Sequence, residues 1–456
     1  MAALKPNRLH LESQPRSLSA LSIAVIAFLC LVVISCGPRP PNIVYIISDD
    51  QGYGDFGFMG SSVIETPNLD ELAASGVVFT HGYSTSSSCR PSLSSLLTGL
   101  HPAQWDARVD QLTRQGHKNL PMPFMQYFQT LPRLLKEKGY RSFQAGKHWE
   151  GHYSLAGFDE GAAGLPSEGS EERLSALAIY SGGSGLEIAR TTMEPAKRFI
   201  LENKDQPFLL WFAPMLPHLP FDAPEELVTL YRERGLDFEA PYYANVTWFD
   251  RSVGELIQAL KDAGVYDETL IVFVADNGWE WDAGKRTNAM IGGPHGKLSI
   301  FEPGFRTPII LSLPGTVPEG VVRDELVSAV DLFPTVLELA QIPTPGDRHG
   351  VSLWPAIRGE ERHPRDFVAG GVDYLRYEPT DPRVNTGFGT EEVAWFLRTP
   401  TWRYIRYPER DQELLFNMTT DPDEVNNLAA KHPGILEEMR RKLDEWRADV
   451  TRYYVP

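Results

Sequence analysis

The sequence predicts an α/β chain built on a largely parallel sheet, with a smaller α+β segment at its C-terminal end, and three observations carry that prediction. The runs Asn42–Ser48 (N-I-V-Y-I-I-S), Pro207 to Ala213 and Leu270 to Ala275 are continuously apolar, as strands covered on both faces are. Helical patterns separate them, among them the helix opened by Thr66-Pro67-Asn68-Leu69 and ended at Gly76, and the amphipathic stretch from Tyr243 to Asp262 ended at Gly264. From about His363 the texture changes. Short strands (Ala394 to Leu397, Trp402 to Arg406), a turn region and a final amphipathic helix through Ile435, Met439, Leu443 and Trp446 follow, an order that reads as α+β.

With 456 residues, 42% hydrophobic and 23% charged, the chain is globular in composition and long enough for two or three cores. A net charge of −17 argues against nucleic acid or an anionic membrane surface as the main partner, since either asks for a basic face. An anionic substrate would therefore be held by locally placed cations. The first residues carry Lys5, Arg8 and Arg16, an apolar run from Leu18 to Ile34, and then Val33-Ile34-Ser35-Cys36. That order predicts an export signal over residues 1–36 ending at a lipidation Cys, with a single membrane-anchoring helix as the competing reading. Residues 37–41, Gly-Pro-Arg-Pro-Pro, read as a stiff tether. The expected location is the periplasm or cell envelope, lipid-anchored through Cys36. Cys30 falls inside the apolar run, so Cys89 becomes the sole thiol of the mature domain; an unpaired Cys in an exported protein points to chemistry.

In chain order, Asp49-Asp50 stands at the C-terminal end of the first strand, where open α/β sheets place their sites, although two Asp on a turn can also simply be solvated. Val77 to Thr80 is a strand leading towards S-S-S-C-R-P-S-L-S-S-L-L-T-G-L, Ser86 to Leu100. There Pro91 suits a first helical turn and Leu93, Leu96, Leu97 and Leu100 recur at helical spacing. Cys89 thus sits where a loop enters a helix, the end of the dipole that favours negative charge, and so where a nucleophile or an anion is well placed; taken alone, it reads as a buried structural Cys. Gln104 to Thr130 shows no clean period and reads as a loop over the site. Leu131 to Lys138 is a helix and Tyr140 to Ala145 a strand, followed by Gly146-Lys147-His148-Trp149-Glu150. After the strand Pro207 to Ala213 comes Pro214-Met215-Leu216-Pro217-His218-Leu219-Pro220, a His held among prolines on a rigid turn. Asp276-Asn277-Gly278 ends the strand Leu270 to Ala275. With Asp49 and Asp50 it gives three carboxylates and an amide, a hard oxygen set that suits calcium better than zinc and does not exclude magnesium.

These segments resemble the type I sulfatases of the alkaline phosphatase superfamily over most of the chain. C-x-P-S-x-x-x-L-L-T-G around Cys89 resembles the family signature, in which this Cys is oxidised to formylglycine (3-oxoalanine) by a formylglycine-generating enzyme. P-N-I-V-Y-I-I-S-D-D-Q-G-Y-G-D resembles the family opening. The resemblance implies an alkaline-phosphatase-like fold with a catalytic domain over 42–362 and a C-terminal antiparallel subdomain over 363–456. It implies calcium at Asp49, Asp50, Asp276 and Asn277 with the Cys89 side chain, and Cys89, Lys147, His218 and Lys297 as catalytic groups. Lys147 matches the Lys of G-K-x-H, Trp149 stands at its His, and His148 or His152 is a stand-in. His218 matches P-H-x-P, and Glu302 with Arg306 reads as structural. The motif C-x-P-x-R is broken at Leu93, with Arg90 one turn earlier as a partial substitute.

The resulting reading is hydrolysis of a sulfate ester, on a sulfated small molecule or glycan. Trp105, Trp149, Trp279 and Trp281 beside the proposed catalytic segments suggest a carbohydrate, because an aromatic face covers the apolar face of a sugar. The alternatives are a phosphonate monoester hydrolase or phosphodiesterase of the same superfamily, or a catalytically silent glycan-binding lipoprotein.

Overall fold

The three continuously apolar runs become neighbours at the centre of an eight-stranded sheet. The computed structural model describes residues 39–114, 124–162, 183–279, 294–372 and 393–452. Its strands are β1 (Asn42–Ser48), β2 (Val77–Tyr83), β3 (Arg141–Gly146), β4 (Glu160–Gly161), β5 (Phe208–Ala213), β6 (Thr269–Ala275), β7 (Arg306–Ser312) and β8 (Val321–Ser328), in the order β4-β3-β5-β1-β6-β7-β2-β8. β1 is parallel to both neighbours, with Ile43 opposite Leu209 on β5 and Leu270 on β6. β7 runs antiparallel to β6 and β2, so the sheet is mixed and largely parallel.

Every residue of β1 and β6 is buried, which is why neither run alternates. Ile43, Tyr45 and Ile47 enter one core, with Leu96 and Leu97 of the helix Cys89–Thr98 and Leu332, Phe333 and Val336 near or on the helix Leu332–Leu339. Val44 and Ile46 enter the other, with Leu69 and Leu72 of Pro67–Ala74, Phe199 of Glu194–Asn203, and Phe249 and Leu256 of Ala240–Asp262. A one-residue slip of β1 would exchange the two sets, so its register is fixed by both cores at once.

Because β3, β5, β1 and β6 are parallel, their C-terminal ends share one edge of the sheet. Close backbone approach sets that edge. A Cβ on Gly146, where β3 ends with φ 110°, would lie 2.0 Å from the carbonyl oxygen of Ala213, and one on Gly278 would lie 1.8 Å from that of Pro303. Only glycine fits either position.

The C-terminal part is a second sheet of β9 (Val368–Gly371), β10 (Trp395–Arg398), β11 (Trp402–Tyr407) and β12 (Gln412–Asn417), antiparallel throughout. Met439 and Leu443 of the helix Pro433–Thr451 pack on Leu397, Tyr404 and Leu415. A buried cluster joins this sheet to the first. Glu302 accepts from Tyr83 Oη at 2.7 Å and from Arg403 Nη1 at 3.0 Å. Arg403 also donates to the Ile300 carbonyl at 2.7 Å and pairs with Glu424 at 2.8 Å. The expected structural role of Glu302 is what this geometry gives, while Arg306 donates to the Thr80 carbonyl and lies over the Tyr53 ring.

One expected loop is helical instead. Pro102–Arg114 is a helix, and Trp105 and Leu112, two turns apart on it, are both buried. The intervening polar residues hid a period carried by so few apolar positions, and the helix is decided by packing on the rest of the chain: His101 at its start meets Trp446 edge-on at 5.1 Å. Among the described residues no helix is long and apolar enough to cross a membrane. The proposed signal and lipidation segment with Cys36, and Trp281, lie outside the described residues.

Candidate active site

Four loops leave the shared edge and converge on Cys89. The loop before its helix is turned in by Ser84, whose backbone N–H donates to the Phe305 carbonyl at 2.8 Å, and Leu298 N–H donates to the Ser87 carbonyl at 2.8 Å. That second bond carries the Lys297 loop against the Cys89 loop. Asp49 continues β1 by a backbone hydrogen bond to Leu216 at 2.9 Å, which draws the His218 turn alongside.

The side chains then close on one another. Cys89, 3% exposed, has its Sγ 3.2 Å from Lys297 Nζ, 3.6 Å from Lys147 Nζ, 3.7 Å from Asp49 Oδ1 and 3.8 Å from Asp50 Oδ1. Lys147 pairs with Asp49 Oδ2 at 2.5 Å, Lys297 with Asp50 Oδ2 at 2.7 Å, and His218 Nε2 lies 3.4 Å from the same Asp50 oxygen. Asp276 Oδ1 accepts from the backbone N–H groups of Asp50 at 3.2 Å and Asn277 at 2.7 Å. Asn277 Nδ2 donates to Asp50 Oδ1 at 2.8 Å, leaving its own buried Oδ1 with no partner.

Burial and neighbouring charge set the protonation states. Burial pushes the Cys89 thiol well above its ordinary value; Lys147 and Lys297 oppose this and do not prevail. The group is therefore a thiol donor towards two carboxylates, not a ready thiolate. Burial, reinforced by the charges of Asp49 and Asp50, likewise raises Asp276 well above the carboxylate range. For Asp50 burial also acts upward, but Lys297, His218 and Lys147 outweigh it and hold the carboxyl at about 2. Lys297 stays protonated despite burial because Asp50 faces it, and burial, helped by Lys147, lowers His218.

Three carboxylates against two ammonium groups, with a carboxyl forced upward and an orphaned amide oxygen, form a place that a hard cation would relieve. Asp49, Asp50, Cys89 and His218 each offer an atom within 4.8 Å of the others. Asp276 and Asn277 adjoin them, so all five expected metal-site residues are brought together. His218 joins the same cluster, a position the sequence offered only as a catalytic group. Lys147 and Lys297, expected as catalytic groups, face the thiol.

The supporting residues fare differently. His148, next to Lys147 in the chain, is fully buried, edge-on to Phe158, and held at about 4 by burial. His152 is half-buried and caps the short turn at Ser154. Trp279, 4% exposed, stacks on Tyr242 at 6.0 Å, and Trp105 packs with Phe128, so neither ring face is free for a sugar. The sequence pattern could not distinguish these rings from open ones, since Trp beside a site is more often packed. Trp149 is half-buried at φ 63°, with Lys147 Nζ 5.6 Å from its ring centroid. Leu93 is 1% exposed among Leu96, Leu97 and their neighbours, and Arg90 pairs with the buried Glu150 at 2.9 Å, tying the Cys89 helix to the Lys147 loop. The sequence did not single out Asp55, whose carboxylate accepts from Tyr242 Oη at 2.6 Å and from Gly52 N–H, bracing the Asp50 turn; burial raises it to about 6.

Known proteins share this arrangement of chain. The family model described as Sulfatase matches residues 41–342, and the one described as N-sulphoglucosamine sulphohydrolase, C-terminal, matches residues 293–449. Human arylsulfatase A is 31% identical over 452 residues, covering 89% of this chain and 87% of the relative. Human N-acetylgalactosamine-6-sulfatase is 32% identical over 361 residues, covering 71% and 67%. Among solved structures, Ps i-CgsB superposes with a TM-score of 0.71 at 28% identity, over 90% of this chain and 93% of that one, and it has also been solved in complex with k-i-k-neocarrahexaose.

Proposed function

The chain belongs to the sulfatase family and is a sulfate ester hydrolase, and from that premise we propose that it removes sulfate from a carbohydrate, using formylglycine made from Cys89 beside a bound calcium ion. The single observation that supports this most is the convergence of Cys89, Lys147, Lys297 and His218 on one buried carboxylate cluster. A thiol kept protonated by burial is a poor nucleophile, which is a physical reason for converting it.

When present, formylglycine supplies through its hydrated aldehyde a hydroxyl nucleophile and a second hydroxyl for releasing sulfate, and calcium supplies positive charge to the sulfate oxygens. Asp49, Asp50, Asp276 and the orphaned Oδ1 of Asn277 would hold the ion. Lys147 and Lys297, both buried and charged, are aimed at the position of Cys89 Sγ and stabilise negative charge that develops beside it. His218, lowered by burial and presenting Nε2 to the cluster, handles the proton of the leaving alcohol. Leu93 leaves the nucleophile without the family's Arg on its own helix, and the Arg90 to Glu150 pair holds the charge nearest in sequence.

The carbohydrate assignment draws on the relatives: N-acetylgalactosamine-6-sulfatase carries a sugar in its name, and Ps i-CgsB was solved with k-i-k-neocarrahexaose. Export and lipid anchoring at Cys36 belong to the same proposal and rest on residues 1–36 alone. Mass spectrometry of the Cys89 peptide from the native host tests the nucleophile; an intact thiol throughout would overturn it. Turnover of a panel of sulfated mono- and disaccharides set against aryl sulfates and phosphonate monoesters tests the substrate. Much faster turnover of the small esters, with no competition by glycans, would remove the carbohydrate.

A further inference from the structure

His218 reaches the site from a turn that has no regular secondary structure of its own. Its ring is oriented by one local contact, Nδ1 to the Leu219 carbonyl at 2.7 Å. A carbonyl only accepts, so Nδ1 donates to it, and Nε2 is the atom turned to Asp50, 3.4 Å away. The direction of Nε2 therefore depends on where the main chain of residues 215–220 is held.

Two side chains from outside the turn hold it. Arg190 donates from Nε and Nη2 to the Met215 carbonyl at 3.1 and 2.7 Å, from Nη2 to the His218 carbonyl at 2.7 Å, and from Nη1 to the Pro220 carbonyl at 3.2 Å. Its guanidinium also pairs with Asp222 and lies over the Trp248 ring. Asn245, fully buried on the helix Ala240–Asp262, donates from Nδ2 to the carbonyls of Pro217 at 3.2 Å, His218 at 3.4 Å and Pro220 at 3.0 Å. Its Oδ1 accepts from Ala223 N–H at 3.0 Å. The His218 carbonyl is thus held from both sides.

We propose that Arg190 and Asn245 are positioning residues for His218, a clamp on the main-chain carbonyls of the turn that fixes the imidazole with Nε2 towards the reacting centre. Neither touches the carboxylate cluster. Each acts through the turn, and the planar fork of Arg190 is what allows one side chain to reach three carbonyls.

Asn245→Asp is the informative change, because it keeps the shape and the acceptor while replacing the donor with a charge that repels the same carbonyls. The kinetic arm rests on the sulfate ester reading. There kcat is expected to fall by about 10- to 100-fold with KM little changed. Arg190→Lys, which retains charge but loses the fork, is expected to lose less than Arg190→Ala, and serves if the Asn245 variant fails to fold. In a His218→Ala background the same changes should cost less than about twofold, because their effect passes through that ring. A second measurement needs no turnover. In protein labelled with 15N-histidine, the His218 signals, assigned by comparison with His218→Ala, should report a proton on Nδ1 and shift towards a mixture of tautomers in the clamp variants. Losses that add to that of His218→Ala, or His218 signals unchanged in the variants, overturn the proposal. A wild-type protein inactive on every sulfate ester would count against the enzymatic reading, leaving the tautomer measurement to decide the clamp.

Discussion

Asp49, Asp50 and Asp276 share their buried pocket with two ammonium groups and a thiol, whereas Glu302 and Glu424 share theirs with the guanidinium groups of Arg403, Arg398 and Arg306. Both clusters are removed from water, and both would be costly if unpaired. In the arginine cluster each Glu302 oxygen has a named donor, and Arg403 donates to Glu302 and the Ile300 carbonyl and pairs with Glu424, although Arg403 Nε, Arg398 Nε and Glu424 Oε1 make no hydrogen bond. In the other, Asn277 Oδ1 has no partner and both ammonium groups lean towards the sulfur, while each cluster holds one carboxyl that burial forces upward, Asp276 here and Glu424 there. Planar forks close a network and hold it; point charges on flexible stems leave room for a cation and a reacting anion. Burying charge is common to both, and the difference between the joint and the candidate active centre lies in the cations each holds, guanidinium forks in one and ammonium groups facing a thiol in the other.

The sharpest way to break this contrast is to remove the thiol. Cys89→Ala should lower kcat by about 10⁴-fold or more while the protein stays folded, as circular dichroism would show. Loss of fold instead would make the thiol a packing residue like its neighbour Leu93. Next in size, Arg403→Ala should destabilise the protein by about 3 to 5 kcal/mol, since it removes the guanidinium that bridges Glu302 and Glu424, without altering calcium stoichiometry. Urea unfolding and metal analysis read the two effects separately.

Asp276→Asn tests the opposite case. Calcium at 100 times its dissociation constant should stabilise the wild type by about 2.7 kcal/mol, and this increment should vanish in the variant with little change in metal-free stability. A thermal shift with calcium that persists in the variant would place the ion elsewhere.

The smallest effect concerns pH. Burial raises Glu424 from 4.5 to about 7, so the folded state binds the proton more tightly than the unfolded chain does. Its contribution to stability is full below about pH 4.5 and is lost as pH rises towards 7. Glu302 has the opposite sign: burial acts upward, but Arg403 and Arg398 hold it low, and its contribution is lost as pH falls. Glu424→Gln should therefore make stability rise more steeply, or fall less, between about pH 4.5 and 7, measured by denaturant midpoints across that range. An identical slope in the variant would remove Glu424 from the titrating groups.

Much of this was determined by sequence alone, and for a shared reason. A run buried on both faces must be apolar at every position, and polar residues must appear where it meets the sheet edge, so β1, β5 and β6 and the Asp49-Asp50 and Asp276-Asn277 pairs were legible together. The motifs around Cys89, Lys147, His218 and Lys297 marked the same edge. Tertiary structure decided what local pattern does not encode. It turned Pro102–Arg114 into a helix by packing, buried the ring of His148 against Phe158, and gave the ring of Trp279 to Tyr242. It also brought Arg190 and Asn245, distant in sequence from His218 and marked by no motif, onto the carbonyls of its turn. A side chain that acts on backbone leaves no trace in the identity of its partner, because every residue has a carbonyl to offer.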